Sequence, residues 1–343
     1  MNKTRLAING FGRIGRMVFR QAVTDHKLEV VAINASYPPE TLAHLIKYDS
    51  VHGIFEGEVN ALSDGLEING KKINLVNSRE PEKLPWKSYG IDVVIEATGK
   101  FKTKETAGLH IKAGAKKVVI TAPGKQVDKT IVMGVNENLY HPDKDDVISN
   151  ASCTTNCLAP VVKVLDDNFN IINGLMTTVH AFTNDQQNLD NPHKDLRRAR
   201  GCTQSIIPTS TGAAKALGEV LPHLNGKLHG MSLRVPTPNV SLVDLVVDVK
   251  KSVSIEEVNQ AFKKAAADQM KGIIKYSEEP LVSVDYTTTE YSAIIDGLST
   301  IVMENNKIKV IAWYDNEWGY SKRVLDLTKY AGSFLHQQHA KIS

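Results

Sequence analysis

The feature that most constrains this chain lies almost at its start. Gly10-Phe11-Gly12-Arg13-Ile14-Gly15 follows the apolar run Arg5–Asn9 directly and opens the helical stretch Ile14–Val23. A second apolar run, Leu28–Ile33, comes next. A strand, a glycine-rich turn, a helix and a second strand make a βαβ unit with parallel strands. Gly10 permits the tight turn, Gly12 lets a pyrophosphate approach the backbone, and Gly15 allows helix and strand to pack closely. The helix N-terminus supplies amide donors and positive potential, so the pattern in this setting points to a bound dinucleotide.

One part of that fingerprint is missing. A carboxylate is expected about 20 residues on to bind the ribose 2′-hydroxyl, but the second strand ends Ile33-Asn34-Ala35-Ser36-Tyr37. Two readings follow: a degenerate site, or a pocket that no longer repels a 2′-phosphate. In the second, Asn34 hydrogen-bonds the ribose and Ser36 a phosphate oxygen.

The alternation continues through Asp92–Ala97, a helical stretch over Thr103–Lys112, and Lys117–Thr121. Residues Gly57–Ser78 interrupt it with polar alternation and Asp-Gly and Asn-Gly turns, which predicts antiparallel hairpins. From about Ser149 the pattern changes. Strands are expected at Ile172–Thr183, Met231–Pro236, Val240–Lys250, Ala293–Asp296 and Lys307–Tyr314. Helices are expected near Thr155–Asn168, Gly212–Val220 and Ile255–Lys271, with a helical tail from Trp318 or Gly319 to about Leu335. The fold class is therefore α/β. An N-terminal Rossmann dinucleotide-binding domain covers residues 1–152 and regains 319–343 as a returning C-terminal helix. Residues 153–318 form an α+β catalytic domain on a mainly antiparallel sheet.

Composition narrows the function classes. At 343 residues, 42% hydrophobic and 23% charged, the chain has two domains' length and an ordinary globular balance, which excludes disorder and coiled coil. Forty-one basic against 38 acidic side chains advertise neither a nucleic-acid nor a membrane partner. No apolar run approaches the ~20 residues of a membrane span, and the first residues do not resemble a secretory signal. Three cysteines, Cys153, Cys157 and Cys202, are odd in number and lack metal-ligand spacing. A reduced, cytoplasmic compartment and no metal are expected.

Cys153 stands in the small polar segment 149–157, ahead of a helical run, with Ser152 or a neighbour as N-cap. A helix dipole and exposed amides there lower a thiol's pKa and cradle an oxyanion. Cys157, one turn on, reads as a packing residue. His180 ends an apolar stretch, where an imidazole pairs with the thiolate and acts as base, or is a satisfied core histidine. Arg197, Arg198, Arg200 and Arg234 stand beside hydroxyl-rich segments that suit phosphate groups. Arg197 and Arg200 also read as exposed loop residues, whereas Arg234 lies inside an apolar strand where burial demands a partner.

The segments INGFGRIGR, ASCTTNC, DLRRAR, PTSTGAAKA, RVPTPNVS and WYDNEWGYS together resemble phosphorylating glyceraldehyde-3-phosphate dehydrogenase along essentially the entire chain. The resemblance implies Cys153 as nucleophile and His180 as its base. It implies a hemithioacetal and then a thioester that inorganic phosphate attacks, releasing 1,3-bisphosphoglycerate. Thr183 and Arg234 serve the phosphate of glyceraldehyde 3-phosphate; Ser152, Thr154, Arg198, Thr211 and Gly212 serve the attacking phosphate. Arg13 and Ile14 contact the pyrophosphate, Thr121 lies along the cofactor cleft, and Asn316 orients the nicotinamide carboxamide. A homotetramer is implied.

Ala35 departs from the NAD-using form, which has aspartate there, while Pro192 keeps that form's proline without the preceding leucine. The departures resemble the second, biosynthetic type of some bacteria, so NADP is the expected coenzyme, with NAD also accepted. Two rivals follow. Erythrose-4-phosphate dehydrogenase, whose thioester is hydrolysed, resembles the chain around Cys153 and His180 but departs from the Thr211-Gly212 segment kept here. A secondary non-catalytic surface or nucleic-acid-binding role draws no support from the charge.

Overall fold

The computed structural model describes residues 3–342. It divides into two compact units. One runs to Ile131 and takes in Glu137–Ala151 and the chain from Ser321 on; the other holds Val132–Asn136 and Ser152–Tyr320.

The first unit contains β1 (Thr4–Asn9), α1 (Arg13–Ala22), β2 (Leu28–Asn34), α2 (Pro39–Lys47) and the short pair β3 (Tyr48–Asp49) and β4 (Gly53–Ile54). After these come β5 (Val59–Leu62), β6 (Gly65–Ile68), β7 (Lys71–Val76), β8 (Val93–Glu96), α3 (Lys104–Ala107) and α4 (Leu109–Lys112). The last are β9 (Lys117–Ile120), β10 (Lys129–Thr130) and β11 (Val147–Ser149). They build a nine-stranded sheet in the order β10-β11-β9-β8-β1-β2-β7-β6-β5. β8 and β9 are buried along their whole length, as strands covered on both faces must be. The core of this unit gathers Val94, Val118, Ile120, Trp86 and Ile91.

Two expectations change in detail. The hairpins over 57–78 form, with Asn69 and Gly70 both at positive φ in the turn, the geometry a two-residue hairpin loop requires. Yet β7 then pairs parallel with β2, so the insertion widens the Rossmann sheet and does not stand apart from it. The helix over 103–112 is split at Gly108 into α3 and α4, and Thr103 caps α3 through the Thr106 amide.

The second unit contains α5 (Cys153–Phe169), β12 (Ile171–Ala181), β13 (Ile207–Ser210), α6 (Ala213–Val220), β14 (Leu228–Val235) and β15 (Ser241–Val249). It continues with α7 (Ile255–Ala267), β16 (Ile274–Ser277), β17 (Ala293–Asp296), β18 (Ile301–Met303) and β19 (Lys307–Tyr314). α8 (Trp318–Ile342) ends the chain. The sheet runs β13-β14-β12-β15-β19-β17-β16, with β18 beside β19. It is mainly antiparallel, but β12 and β14, and β16 and β17, are parallel. Alternate residues of β15 and β19 are buried, so the sheet has one covered face, on which α5 packs. The other face carries exposed Leu175, Met231, Ile301 and Met303. Charged pairs Lys307–Asp248 and Lys309–Asp244 lie among them.

Candidate active site

α5 begins where the sequence predicts. Ser152 is its N-cap, accepting the Thr155 amide on Oγ at 3.0 Å, and Cys153 is the first helical residue. The chain enters this cap through Ala151 in the left-handed region, at φ 56°, a conformation that costs a non-glycine residue energy and recurs at functional sites. His180 lies near the end of β12, on the sheet face that α5 covers. Its Nε2 stands 3.5 Å from Cys153 Sγ. On the other side of the ring, Nδ1 is 2.7 Å from the Ala181 carbonyl. With the proton on Nδ1, donated to this shorter contact with a carbonyl that only accepts, Nε2 faces the thiol with a lone pair.

Arg234 reaches the same place from β14, which pairs in register with β12 so that His180 and Arg234 are direct neighbours. Its NH1 donates to the Ala181 carbonyl at 3.1 Å and lies 2.9 Å from Nδ1. Its Nε is buried with no hydrogen-bond partner among the described residues. A guanidinium so placed calls for an anion. Arg198 donates from Nε to Thr209 Oγ1 at 3.0 Å and is ion-paired with Asp185.

The electrostatics correct one sequence expectation. Burial pushes the Cys153 thiol above its ordinary range, although Arg234 and the first-turn amides pull it back. Burial, with Arg234 and Arg198 adding to it against the Ala181 hydrogen bond, takes His180 down to about 3. In this environment a thiol faces a neutral imidazole; desolvation outweighs the helix terminus. Cys157 is fully buried, as a packing residue should be.

The structure thus joins Ser152, Cys153, His180 and Arg234 in one cluster. The Thr154 hydroxyl is tied to the Tyr314 hydroxyl at 2.9 Å, and Tyr314 also meets Thr178 at 2.8 Å. The Tyr314 ring stands edge-on to His180. Sequence reasoning missed this tyrosine as a support of the site, because only the pairing of β15 with β19 brings it there. Thr183, Thr211 and Gly212 make no hydrogen bond to the cluster among the described residues. Thr183 is bonded to Gln186, and Thr211 and Gly212 lie at the start of α6, where Gly212 has open space around its Cα. Asn316 is buried, its Oδ1 accepting from Ser241 Oγ at 2.9 Å. Arg197 and Arg200 stay on the exposed loop, Arg200 paired with Asp190.

In the first unit, a cavity of about 520 Å³ opens at the ends of β1, β2 and β8, lined in part by Gly10, Gly12, Asn34, Ala35, Ser36 and Thr98. Gly10 has φ 94°, and a Cβ there would fall 2.7 Å from the Thr98 amide. A Cβ on Gly15 would strike the Gly10 carbonyl, whereas the space over Gly12 is open. That open cradle at a helix N-terminus fits a dinucleotide pyrophosphate. The Arg13 guanidinium is committed to Asp49. Against the effect of burial, Arg13 and two amides hold the Asp49 carboxyl well below the usual range. Arg13 and Ile14 form the first turn of α1, directly after Gly12. Thr121 donates from Oγ1 to the Glu96 carbonyl at 3.1 Å.

Asn34 departs from expectation. It is buried, its Nδ2 donates to Asn9 and Ser78, and its Oδ1 accepts the Ser78 amide, so both of its N–H groups are engaged within the protein. Arg79 and Lys100 were missed, and both line the cavity with Ala35 and Ser36. No local pattern marks Arg79; it follows β7, which only the parallel pairing with β2 brings beside residues 34–36.

A Rossmann sheet with an open glycine cradle, in a chain whose second unit sets a cysteine at a helix start against a histidine, is the organisation of a dinucleotide-dependent oxidoreductase. Residues 4–104 match the NAD binding domain of glyceraldehyde 3-phosphate dehydrogenase, and residues 152–316 match its C-terminal domain. The chain is 67% identical to glyceraldehyde-3-phosphate dehydrogenase 2 of Bacillus subtilis over 338 residues, 98% of this chain and 99% of that protein. It is 62% identical to the protein of the same name from Staphylococcus aureus (strain Mu50) and 61% to that of Staphylococcus epidermidis (strain RP62A), in each case over 97% of both chains. The chain belongs to the glyceraldehyde-3-phosphate dehydrogenase family and resembles its second type.

Proposed function

We propose that this protein oxidises and phosphorylates D-glyceraldehyde 3-phosphate to 1,3-bisphosphoglycerate, reversibly, through a thioester on Cys153, with NADP preferred and NAD accepted. The observation that carries the reading is the 3.5 Å approach of His180 Nε2 to Cys153 Sγ, with Nδ1 committed to Ala181. His180 takes the thiol proton as sulfur attacks the aldehyde carbon and passes it to the carbonyl oxygen, giving a hemithioacetal and a neutral imidazole again. Amides of the first turn of α5 face the developing oxyanion. A bound nicotinamide supplies the hydride acceptor for the oxidation. His180 draws off the hydroxyl proton as the thioester forms. Phosphate oxygen then attacks the thioester carbon and the C–S bond breaks, returning the thiolate.

Arg234, with its unpartnered Nε, and Thr183 would hold the substrate's own phosphate. Arg198, Ser152, Thr154, Thr211 and Gly212 would receive inorganic phosphate. Asn316, its oxygen taken by Ser241, would offer its amide N–H to the carboxamide. Gly10, Gly12 and the backbone of Arg13, Ile14 and Gly15 would hold the pyrophosphate, with Thr121 beside the cleft.

NADP preference is supported by Ala35, which leaves no carboxylate to repel a 2′-phosphate, and by Ser36, Arg79 and Lys100 on the same cavity. That preference suits a biosynthetic, gluconeogenic direction. The open sheet face with Leu175, Met231, Ile301 and Met303 supports self-association as a homotetramer. No described helix is long and apolar enough to cross a membrane; free cysteines support a cytoplasmic setting, and no nucleic acid is proposed as a primary partner.

The test is steady-state turnover with both coenzymes, with and without phosphate. Wild type should favour NADP in kcat/KM, and Ala35→Asp should move the ratio strongly toward NAD. A tenfold wild-type preference for NAD, or an unmoved ratio, contradicts the coenzyme reading. Turnover independent of phosphate, or confined to erythrose 4-phosphate, contradicts the phosphorylating one.

A further inference from the structure

Beneath the coenzyme cavity runs a buried polar chain that the chemistry above does not use. The Trp86 indole N–H donates to His110 Nδ1 over 2.9 Å. Nδ1 is therefore the acceptor, and the ring proton sits on Nε2. Nε2 donates to Glu96 Oε2, 3.0 Å away, and the Asn9 amide nitrogen donates to the same oxygen. Glu96 Oε1 accepts the backbone N–H of Thr98 at 2.8 Å and its hydroxyl. Four donors thus converge on one carboxylate, which is 1% exposed.

That convergence dictates everything further along. Because Asn9 turns its nitrogen to Glu96, its Oδ1 is left to accept from Asn34 Nδ2 at 2.6 Å. Asn34 gives its second N–H to the Ser78 carbonyl at 2.8 Å and accepts the Ser78 N–H at 2.9 Å. An amide side chain has nearly the same shape either way round. The donor demand of Glu96 at one end and the backbone N–H and C=O of Ser78 at the other agree on one orientation of both amides; reversed, N–H would meet N–H.

We propose that Glu96 is the positioning residue of the coenzyme cavity. One of its oxygens holds Thr98 against the glycine turn. The other, through Asn9 and Asn34, holds the Ser78–Arg79 segment. Both Thr98 and Arg79 line the cavity. Asn34 then serves the coenzyme through Ser78 and Arg79, not through the ribose. The inference rests on the cavity being the coenzyme site.

The test is Glu96→Gln in the full-length enzyme, which keeps size and places a donor where donors converge. Coenzyme Kd by equilibrium titration and coenzyme KM should rise about tenfold, the effect of losing a charged hydrogen bond worth about 1.4 kcal/mol. kcat at saturating coenzyme and KM for the aldehyde should stay within about twofold, a split that general loss of structure would not give. Asn34→Ala should also weaken coenzyme binding, and should add little to Glu96→Gln, because the two share one path. If Glu96→Gln does not fold, Thr98→Val cuts the Thr98 hydroxyl contact alone and should raise coenzyme KM by threefold or more. Unchanged coenzyme binding in a folded Glu96→Gln or Thr98→Val protein, or additivity with Asn34→Ala, overturns the proposal. Wild-type protein that binds neither NAD nor NADP would instead overturn the coenzyme reading itself.

Discussion

At His180, burial, Arg234 and Arg198 act in the same direction, and the consequence is measurable without substrate. The ring sits at about 3 in the folded protein against an ordinary 6.5. Between those values the unfolded chain holds a proton that the folded chain does not. Stability must therefore fall as pH drops from 6.5 toward 3, by up to about 1.4 kcal/mol per unit from this group. Denaturant midpoints of wild type and His180→Asn across that range should diverge, the variant losing less; parallel curves would show an ordinary histidine. The arginines make a second residue-scale pair. Arg234→Leu should chiefly raise KM for the phosphorylated aldehyde, and Arg198→Leu should chiefly impair use of inorganic phosphate. Each effect should be on the order of a hundredfold, as for a desolvated charged contact; identical effects on both substrates would collapse the two anion sites into one.

Among the elements, α5 carries most of the proposed chemistry, because its N-terminus fixes where the Cys153 sulfur stands. The Ser152 cap satisfies one first-turn amide, so Ser152→Ala should lower unfolding stability by about 1 kcal/mol in denaturant melts. No change would mean that the Ser152 hydroxyl does not hold the turn. The elements carrying the sites were largely legible in sequence, since β1, α1, β15, β19 and α5 have strong local patterns: a glycine turn, strict alternation, a small polar cap before an apolar run. What was not legible depends on pairing between distant strands. The sequence of residues 57–78 predicts antiparallel hairpins, but nothing in residues 71–76 announces β2 as a parallel neighbour, so nothing local marks Arg79 as a cavity residue. Likewise Asn34 read as a ribose ligand because its partner Ser78 lies 44 positions away. The thiol's shift went the other way from expectation for the same reason: a helix start can be recognised locally, whereas burial is a property of the assembled sheet and helix.

At the scale of the whole molecule, one unit holds the cavity and the other the thiol–imidazole pair with its arginines, and under the proposed function both serve one acyl-transfer cycle through Cys153. The most direct measurement is a single-turnover reaction with glyceraldehyde 3-phosphate and NADP in the absence of phosphate, quenched in acid and mapped by peptide mass spectrometry. One equivalent of reduced coenzyme per subunit should form in a burst, with a 3-phosphoglyceroyl group on the peptide at Cys153, and added phosphate should discharge it and restore steady turnover. Cys157→Ser should behave as wild type, and Cys153→Ser should give neither burst nor adduct. Sustained turnover without phosphate, or an acyl group found at Cys157 or at no cysteine, would rule out a thioester cycle through Cys153.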